Sequence, residues 1–297
     1  MEELSVKKDF SEIYTKKSPS YYLQEMKNLG YRIPDQTKPL YQHLAERMSN
    51  YLMRPLKILD LGSSYGINSA LLNYELVMDE LDDFFVEGSQ SIQECQSFFD
   101  DLPNKNPKFQ FHLVDTSSPA LDFAEKAGLC EDSFCINMEK EKIPPKFEQT
   151  LNDIDLIIST GCIGYIGWKS FEKIFNAIDS FSRGPLPIFA FTVLRMFPMN
   201  DIEKIFQKNN FALIKTIIGP LKQRRFYNDS EMKKSIELLN KKEISTDGIE
   251  DQGFYYADFY VAGPSNIKSS WVSWVHNLEQ VFVPINGITE SPNSKCN

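Results

Sequence analysis

The sequence predicts an α/β fold: a doubly wound, mostly parallel sheet of seven strands with helices on both faces. Three observations favour it. From Leu56 onward, short apolar runs end in Gly, Asp or Ser, each run is followed by helical periodicity, and no internal repeat interrupts this alternation. The strands are predicted at residues 57–61, 109–114, 134–137, 154–159, 188–193, 211–218 and 255–262.

Residues 1–54 are predicted to form a helical N-terminal lid on the sheet. Apolar residues recur at helical spacing from Tyr22 to Leu29, where Gly30 ends the first helix, and a second amphipathic helix is expected from about Pro39 to Tyr51. The sheet domain is expected over residues 55–283, with a mostly helical insertion at 74–107 and a solvated helix within 221–250. The tail at 284–297 is expected to be disordered.

Composition narrows the classes of partner. Thirty-two Lys and Arg against 41 Asp and Glu give a net charge of −9, which disfavours nucleic acid and anionic membranes. No long uninterrupted apolar segment suggests export or a membrane span, so a cytoplasmic protein is expected. Five cysteines and three histidines lack metal-type spacing, so no metal is predicted.

The most informative segment is LKILDLGSSYGINSALL, residues 56–72. An apolar strand ends near Asp60, a turn contains Gly62 and Gly66, and an apolar helix begins near Asn68. Glycine lets the backbone bend sharply and approach a ligand, and the helix N-terminus offers unpaired N–H groups. The segment therefore predicts a cofactor loop. Ser64 stands where a dinucleotide fingerprint has its middle glycine, which disfavours an NAD(P) oxidoreductase.

The arrangement D-L-G-S-S-Y-G resembles motif I of class I S-adenosylmethionine-dependent methyltransferases, in which an acidic residue precedes G-x-x-x-G. The resemblance implies a Rossmann-like fold and S-adenosylmethionine as the cofactor. It implies that Asp60 orders the loop or contacts the cofactor's amino group, and Ser64 and Asn68 are further cofactor-binding candidates. The implied cradle for the methionine half consists of Gly62, Ser63, Tyr65 and Gly66.

More loosely, the chain is similar to uncharacterised bacterial small-molecule methyltransferases with a helical N-terminal cap. Two short elements carry this likeness, Y-x-I-P-D at residues 31–35 and Q-R-R-F at residues 223–226. The likeness implies no particular substrate.

The class I methyltransferases also have an acidic residue after the second strand, and this residue binds the ribose hydroxyls of the cofactor. Glu87 lies 21 residues after Gly66, the usual distance, whereas Asp115 lies 49 residues after it. Asp115 is favoured because it ends a clear strand and precedes a Ser/Thr cap and Pro119, while the residues before Glu87 have a helical rhythm. Thr116 is a further cofactor-binding candidate. Two more candidates, Asn137 and Met138, are expected beside the adenine.

The loop after the fourth strand and the end of the fifth strand supply the remaining candidates, because carboxyl ends of parallel strands line the ligand crevice. Trp168 and Arg195 are expected to bind the substrate, the arginine through a carboxylate. Alternatively, Tyr165 and Trp168 are aromatic residues of the core, and Arg195 forms an ion pair at the surface. The cofactor candidates here are Ser159, Thr160 and Gly161, and the candidates for a general base are Tyr165, Tyr22 and Tyr21.

The favoured interpretation is an enzyme that moves the methyl group of S-adenosylmethionine to a small molecule by in-line displacement. Alignment and exclusion of water supply much of such catalysis, so no catalytic triad is required. The alternatives are transfer of the cofactor's aminocarboxypropyl group and a non-catalytic protein that senses S-adenosylmethionine.

Overall fold

The computed structural model describes residues 8, 10–86, 90–102, 106, 108–178 and 185–281. Their strands are β1 Leu56–Leu61, β2 Phe109–Asp115, β3 Asp132–Cys135, β4 Leu156–Ile163, β5 Ile188–Leu194, β6 Phe211–Lys215, β7 Leu221–Arg225 and β8 Phe254–Pro264. Their helices are α1 Ser20–Asn28, α2 Ile33–Leu52, α3 Ile67–Asn73, α4 Met78–Val86, α5 Ile92–Asp101, α6 Ser118–Lys126, α7 Pro145–Leu151, α8 Trp168–Ala177, α9 Asn200–Lys208, α10 Asp229–Lys241, α11 Lys268–His276 and α12 Leu278–Val281.

The strands form one sheet in the order β3-β2-β1-β4-β5-β8-β6, and β7 pairs with β8 beside the end of β6. Strands β1 to β5 are parallel, whereas β8 runs antiparallel to β5, β6 and β7. The predicted Rossmann-like, mostly parallel sheet is therefore confirmed. The strand order reverses between β1 and β4, and ligands of open α/β sheets bind at the carboxyl ends of such a pair.

The central strands are apolar because helices cover both faces of the sheet. Every residue of β5, IFAFTVL, is buried. Phe171 of α8 and Phe206 of α9 pack on Phe189 and Phe191, which closes one face of the sheet. Burying side chains of this size stabilises the fold by roughly 1.5–3 kcal/mol each.

The N-terminal helices belong to the same hydrophobic core as the sheet. Leu23 of α1 and Leu40 of α2 are fully buried, and α2 packs on α3, β4 and β7. Helix α2 begins at Ile33, earlier than the predicted start near Pro39, because Pro34 occupies the first turn, where its missing N–H costs no hydrogen bond. Helix α2 reaches the carboxyl end of β4, where the hydroxyl of Tyr41 donates to the carbonyl of Ser159 at 3.0 Å.

One strand was missed and one helix was predicted too long. The structure divides residues 221–250 into β7 and the shorter α10, so the described sheet has eight strands instead of seven. The basic residues of β7 suggested a solvated helix, but Arg224 is 3% exposed because Glu231 neutralises it. Strand β3 lies two residues earlier than predicted, β4 continues to Ile163 and β6 ends at Lys215.

The insertion is helical in its described part, where it contains α4 and α5. Glu87 and the tail at 284–297 lie outside the described residues. No helix in the described ranges is both long enough and apolar enough to cross a bilayer.

Candidate cofactor and acceptor site

A cleft of about 870 Å³ opens at the carboxyl ends of β1, β2 and β4, under the N-terminal residues. Small-molecule sites span roughly 300–1,000 Å³, so this cleft has room for a cofactor and a second small molecule. Its wall is formed by Phe10, Tyr14, Thr15, Tyr22, Met26, Tyr31, Leu61, Gly62, Ser64, Val114, Ile166, Tyr165, Ser170, Gln223, Arg224 and residues 115–119, 136–140 and 160–162.

The loop between β1 and α3 is bent where glycine is required. Gly62 has φ +78° and Gly66 has φ +76°, in the left-handed region. A Cβ on Gly62 would lie 2.4 Å from the sulfur of Cys162, and one on Gly66 would lie 3.2 Å from the Cβ of Ala124. Both glycines therefore also let the loop pack closely against its neighbours, and Gly62 lies on the cleft wall.

Asp60 lies beneath this loop. Its carboxylate is fully buried and accepts hydrogen bonds from the side-chain amide of Asn68, at 3.1 and 3.2 Å. Burial raises the pKa of Asp60 to about 7, although the Asn68 hydrogen bond opposes that shift. Of the two roles that the motif implies for Asp60, its contacts favour ordering the loop, because the carboxylate joins the end of β1 to α3.

Asp115 lies at the end of β2 and on the cleft wall. One carboxylate oxygen accepts from the N–H of Ser64 at 2.8 Å, and the other accepts from the N–H of Ser117 at 2.9 Å. Burial raises its pKa, while the backbone N–H groups of Ser64, Ser117 and Thr116 hold the shift down. Each oxygen keeps lone pairs for a further donor, so this carboxylate can accept two ligand hydroxyls.

Ser64 carries the contact between the loop and Asp115 in an unusual conformation. Its φ is +53°, and its hydroxyl oxygen is buried without a hydrogen-bond partner among the described residues. The prediction that this position contributes to the cofactor loop is consistent with its place on the cleft wall.

The remaining cofactor candidates divide between the wall and the interior. Five of them lie on the cleft wall, namely Thr116, Asn137, Met138, Thr160 and Gly161. The hydroxyl of Ser159 instead donates to the carbonyl of Leu61 at 2.8 Å, so it joins β4 to β1. Asn68 is likewise engaged inside the protein, with Asp60.

Tyr65 and Ser63 point away from the cleft, contrary to the expected cradle. The buried hydroxyl of Tyr65 donates to the carbonyls of Ile13, at 3.1 Å, and Lys16, at 2.9 Å. It therefore fastens the N-terminal residues to the loop, and burial raises its pKa to about 12. The hydroxyl of Ser63 faces the carbonyl of Val114.

Both substrate-binding candidates lie outside the cleft wall in the described structure. Arg195 forms a buried ion pair with Glu250 at 2.6 Å and donates to the carbonyl of Ser245 at 2.9 Å. Because both terminal nitrogens of this guanidinium already donate hydrogen bonds, Arg195 is not available to bind a substrate carboxylate in bidentate fashion. Trp168 begins α8, and its side chain is 39% exposed.

Of the three candidates for a general base, Tyr22 and Tyr165 lie on the wall, whereas Tyr21 faces outward and is 42% exposed. Burial raises the pKa of Tyr22 well above its ordinary value. Its hydroxyl therefore stays protonated at neutral pH, which makes it unsuitable as a base.

Among the wall residues that the sequence reasoning did not assign to the site are Tyr14, Tyr31 and Gln223. Tyr31 and Gln223 stand first in the Y-x-I-P-D and Q-R-R-F elements, which was the available signal. The structure brings the two elements together, because the N–H of Arg32 donates to the carbonyl of Gln223 at 3.1 Å. The described residues contain no group of three or more His, Cys, Asp or Glu side chains arranged to hold a metal.

Comparisons with known proteins show that the fold of this chain is similar to that of several solved structures. No family model and no curated protein matches the chain. Three similar solved structures are magnesium protoporphyrin IX methyltransferase of Synechocystis with bound SAM (10% identity, 78% of this chain and 81% of that one, TM-score 0.40), a TehB-like SAM-dependent methyltransferase of Corynebacterium glutamicum (13%, 73% and 86%, 0.38) and the YcgJ protein of Bacillus subtilis (12%, 74% and 97%, 0.41). At these identities the likeness concerns the fold alone.

Proposed function

We propose that this chain is an enzyme that transfers the methyl group of S-adenosylmethionine to a small molecule. One observation carries the proposal. The carboxylate of Asp115 holds the N–H of Ser64 at 2.8 Å, which joins the acid after β2 to the glycine loop after β1. Both lie on one wall of the cleft, at the point where the strand order reverses.

The chemistry of the wall fits the proposed cofactor. Asp115 offers two carboxylate oxygens to the pair of ribose hydroxyls, and Asn137 and Met138 follow β3 on the adjacent part of the wall. Gly62 lies on the same wall, where its backbone can approach the methionine half, and a Cβ at this position would meet the sulfur of Cys162. A sulfonium is a cation, and the tyrosine rings of the wall favour it by roughly 0.5–2 kcal/mol in a dry site.

Methyl transfer requires no covalent bond between the protein and either reactant. S-adenosylmethionine supplies an electrophilic methyl group: a lone pair of the acceptor bonds to that carbon while the carbon–sulfur bond breaks, and neutral S-adenosylhomocysteine leaves. An acceptor that attacks through N–H or O–H also releases one proton. Holding the two reactants in line contributes roughly 7–11 kcal/mol to such a step.

We further propose that residues 1–54 act as a lid on a sheet domain at 55–283. Tyr14, Tyr22 and Tyr31 from this segment lie over the cleft. The hydroxyl of Tyr65 and the ion pair of Arg32 with Asp82, at 2.9 Å, fasten the segment to the sheet domain. A lid held in this way excludes water from the reacting groups.

A product assay tests the proposed function. The purified protein is incubated with S-adenosylmethionine and a cell metabolite extract, and the products are separated by mass. Production of S-adenosylhomocysteine supports methyl transfer. Methylthioadenosine would indicate transfer of the aminocarboxypropyl group, and binding without either product would indicate a sensor.

A further inference from the structure

On the side of the cleft that the N-terminal residues cover, a buried glutamine amide has an oxygen without a hydrogen-bond partner among the described residues. Gln223 of β7 is 3% exposed, lies on the cleft wall, and its side-chain oxygen has no hydrogen-bond partner among the described residues. An unsatisfied buried carbonyl costs free energy unless something pairs with it. A ligand in the cleft can supply the missing hydrogen-bond donor, because rotation about the terminal torsion of glutamine can turn the oxygen toward it.

Tyr31 places a hydroxyl beside this amide. A Cβ built on Gly161 would lie 2.8 Å from the hydroxyl of Tyr31 and 3.2 Å from the amide nitrogen of Gln223. Both polar groups therefore converge above Gly161, at the carboxyl end of β4. The N-terminal residues add apolar and aromatic side chains to this wall, among them Met26 and Tyr22.

The charge of this region disfavours an anion. The described wall carries two basic side chains, Arg224 and Lys140. Arg224 is committed to Glu231 through bonds of 2.9 and 3.1 Å, and both residues are 3–4% exposed. Lys140 is exposed on the loop after β3, at the opposite edge of the sheet. Of the two described basic residues, Arg224 is thus neutralised and Lys140 is remote, so neither would balance a carboxylate or phosphate near Gln223.

Acidic groups add to this effect. The carboxylate of Asp115 interacts with Tyr22, and that of Asp60 interacts with Tyr31. Since burial also raises the pKa of Tyr31 well above its ordinary value, its hydroxyl stays neutral and can donate or accept a hydrogen bond.

We propose that Gln223 and Tyr31 bind the methyl acceptor, and that this acceptor is an amine or an alcohol with an apolar body and no anionic group. Its N–H or O–H donates to the amide oxygen of Gln223, and its apolar part packs on the aromatic wall. This inference rests on the proposed function, because it assigns the second compartment of the same cleft.

The first test compares two probes of matched size, phenethylamine and 3-phenylpropionate, by calorimetry with the protein already saturated by S-adenosylhomocysteine. The proposal predicts that the amine binds at least about tenfold more tightly than the carboxylate, a difference of about 1.4 kcal/mol. Equal affinities, tighter binding of the carboxylate or no binding of either probe would overturn the inference. If the protein fails to bind S-adenosylhomocysteine itself, the proposed function fails instead.

The second test replaces the amide. Gln223→Met keeps the size of the side chain and removes its hydrogen bonds, and Gln24→Met, on the exposed face of α1, is the matched control. Gln223→Met is expected to weaken phenethylamine about three- to tenfold while S-adenosylhomocysteine binds as before. Gln24→Met should change neither affinity.

A structural role for Gln223 would give a different result. Because the variant removes an unpaired buried carbonyl, it should melt no lower than the wild type if the amide serves the ligand. A lower melting temperature together with equal loss of both affinities would contradict the proposal. Tyr31→Phe provides an independent variant, expected to weaken phenethylamine alone.

Discussion

Replacing Asp115 by alanine should uncouple cofactor binding from folding. The carboxylate accepts two backbone N–H groups, from Ser64 and Ser117, at 2.8 and 2.9 Å. In the proposed complex it also accepts two ribose hydroxyls. A hydrogen bond to a charged group contributes a net of roughly 1.5–3 kcal/mol, and water replaces part of what the variant loses.

Two lost ribose contacts should therefore cost about 2–4 kcal/mol, which weakens the binding of S-adenosylhomocysteine roughly 30- to 1,000-fold. The cost to folding should be smaller. Water in the open cleft can reach the two freed N–H groups, and the variant also removes a carboxylate whose pKa is raised by burial. The melting temperature should fall by only a few degrees.

Calorimetry with S-adenosylhomocysteine and a thermal melt measure the two effects separately. Asp122→Ala on the exposed face of α6 is the matched control and should change neither quantity. Wild-type affinity in Asp115→Ala would refute the reasoning. If Glu87→Ala instead removed binding, the ribose acid would be Glu87.

Three further predictions concern the loop and the residues beneath it. Because the pKa of Asp60 is about 7 in the fold, against an ordinary 3.8, the folded state binds this proton more tightly than the unfolded chain. That contribution to stability is fully present below about pH 4 and is lost as pH rises from about 4 to 7. Asp60→Asn should therefore gain stability relative to the wild type over about pH 4–7 in urea unfolding and keep a constant advantage above pH 7, and parallel pH profiles would contradict this. Tyr65→Phe, which loses two hydrogen bonds to the N-terminal residues, should destabilise the fold by about 1–2 kcal/mol in the same assay, and unchanged stability would show that the fastening is unimportant. Gly62→Ala should destabilise by about 1–3 kcal/mol more than Gly128→Ala, since both glycines have positive φ but only the first would meet a neighbour, the sulfur of Cys162. Equal losses in thermal melts would remove the packing argument.

The order of elements from β1 to β5 was predictable because buried parallel strands are short continuous apolar runs. The acid at the end of β2 could be placed for the same reason, since the apolar run of β2 ends at Asp115 and Ser117 caps the next helix. These signals are local in sequence and depend on burial and capping alone.

Strand β7 was not predictable, because its charged residues look solvated until a partner is known. Glu231, seven residues after Arg224, neutralises that arginine inside the protein. The position of Gln223 over Gly161 depends in turn on the pairing of β7 with β8, which no local pattern encodes.

The direction of a side chain within a loop was also beyond the sequence. Tyr65 and Tyr165 both stand in glycine-rich loops after strands, yet Tyr65 is fully buried against the N-terminal residues and Tyr165 is half exposed on the cleft wall. Arg195 looked free at the end of β5 because Glu250, which pairs with it, is 55 residues away in the chain. Long-range contacts of this kind decide which polar residues remain for a ligand.

A crystal structure with S-adenosylhomocysteine tests the central claim most directly. The account predicts both ribose hydroxyls within hydrogen-bond distance of the carboxylate of Asp115, and the homocysteine part beside Gly62. Density for the ligand elsewhere on the protein, or ribose hydroxyls held by other residues while Asp115 keeps only its backbone contacts, would contradict it.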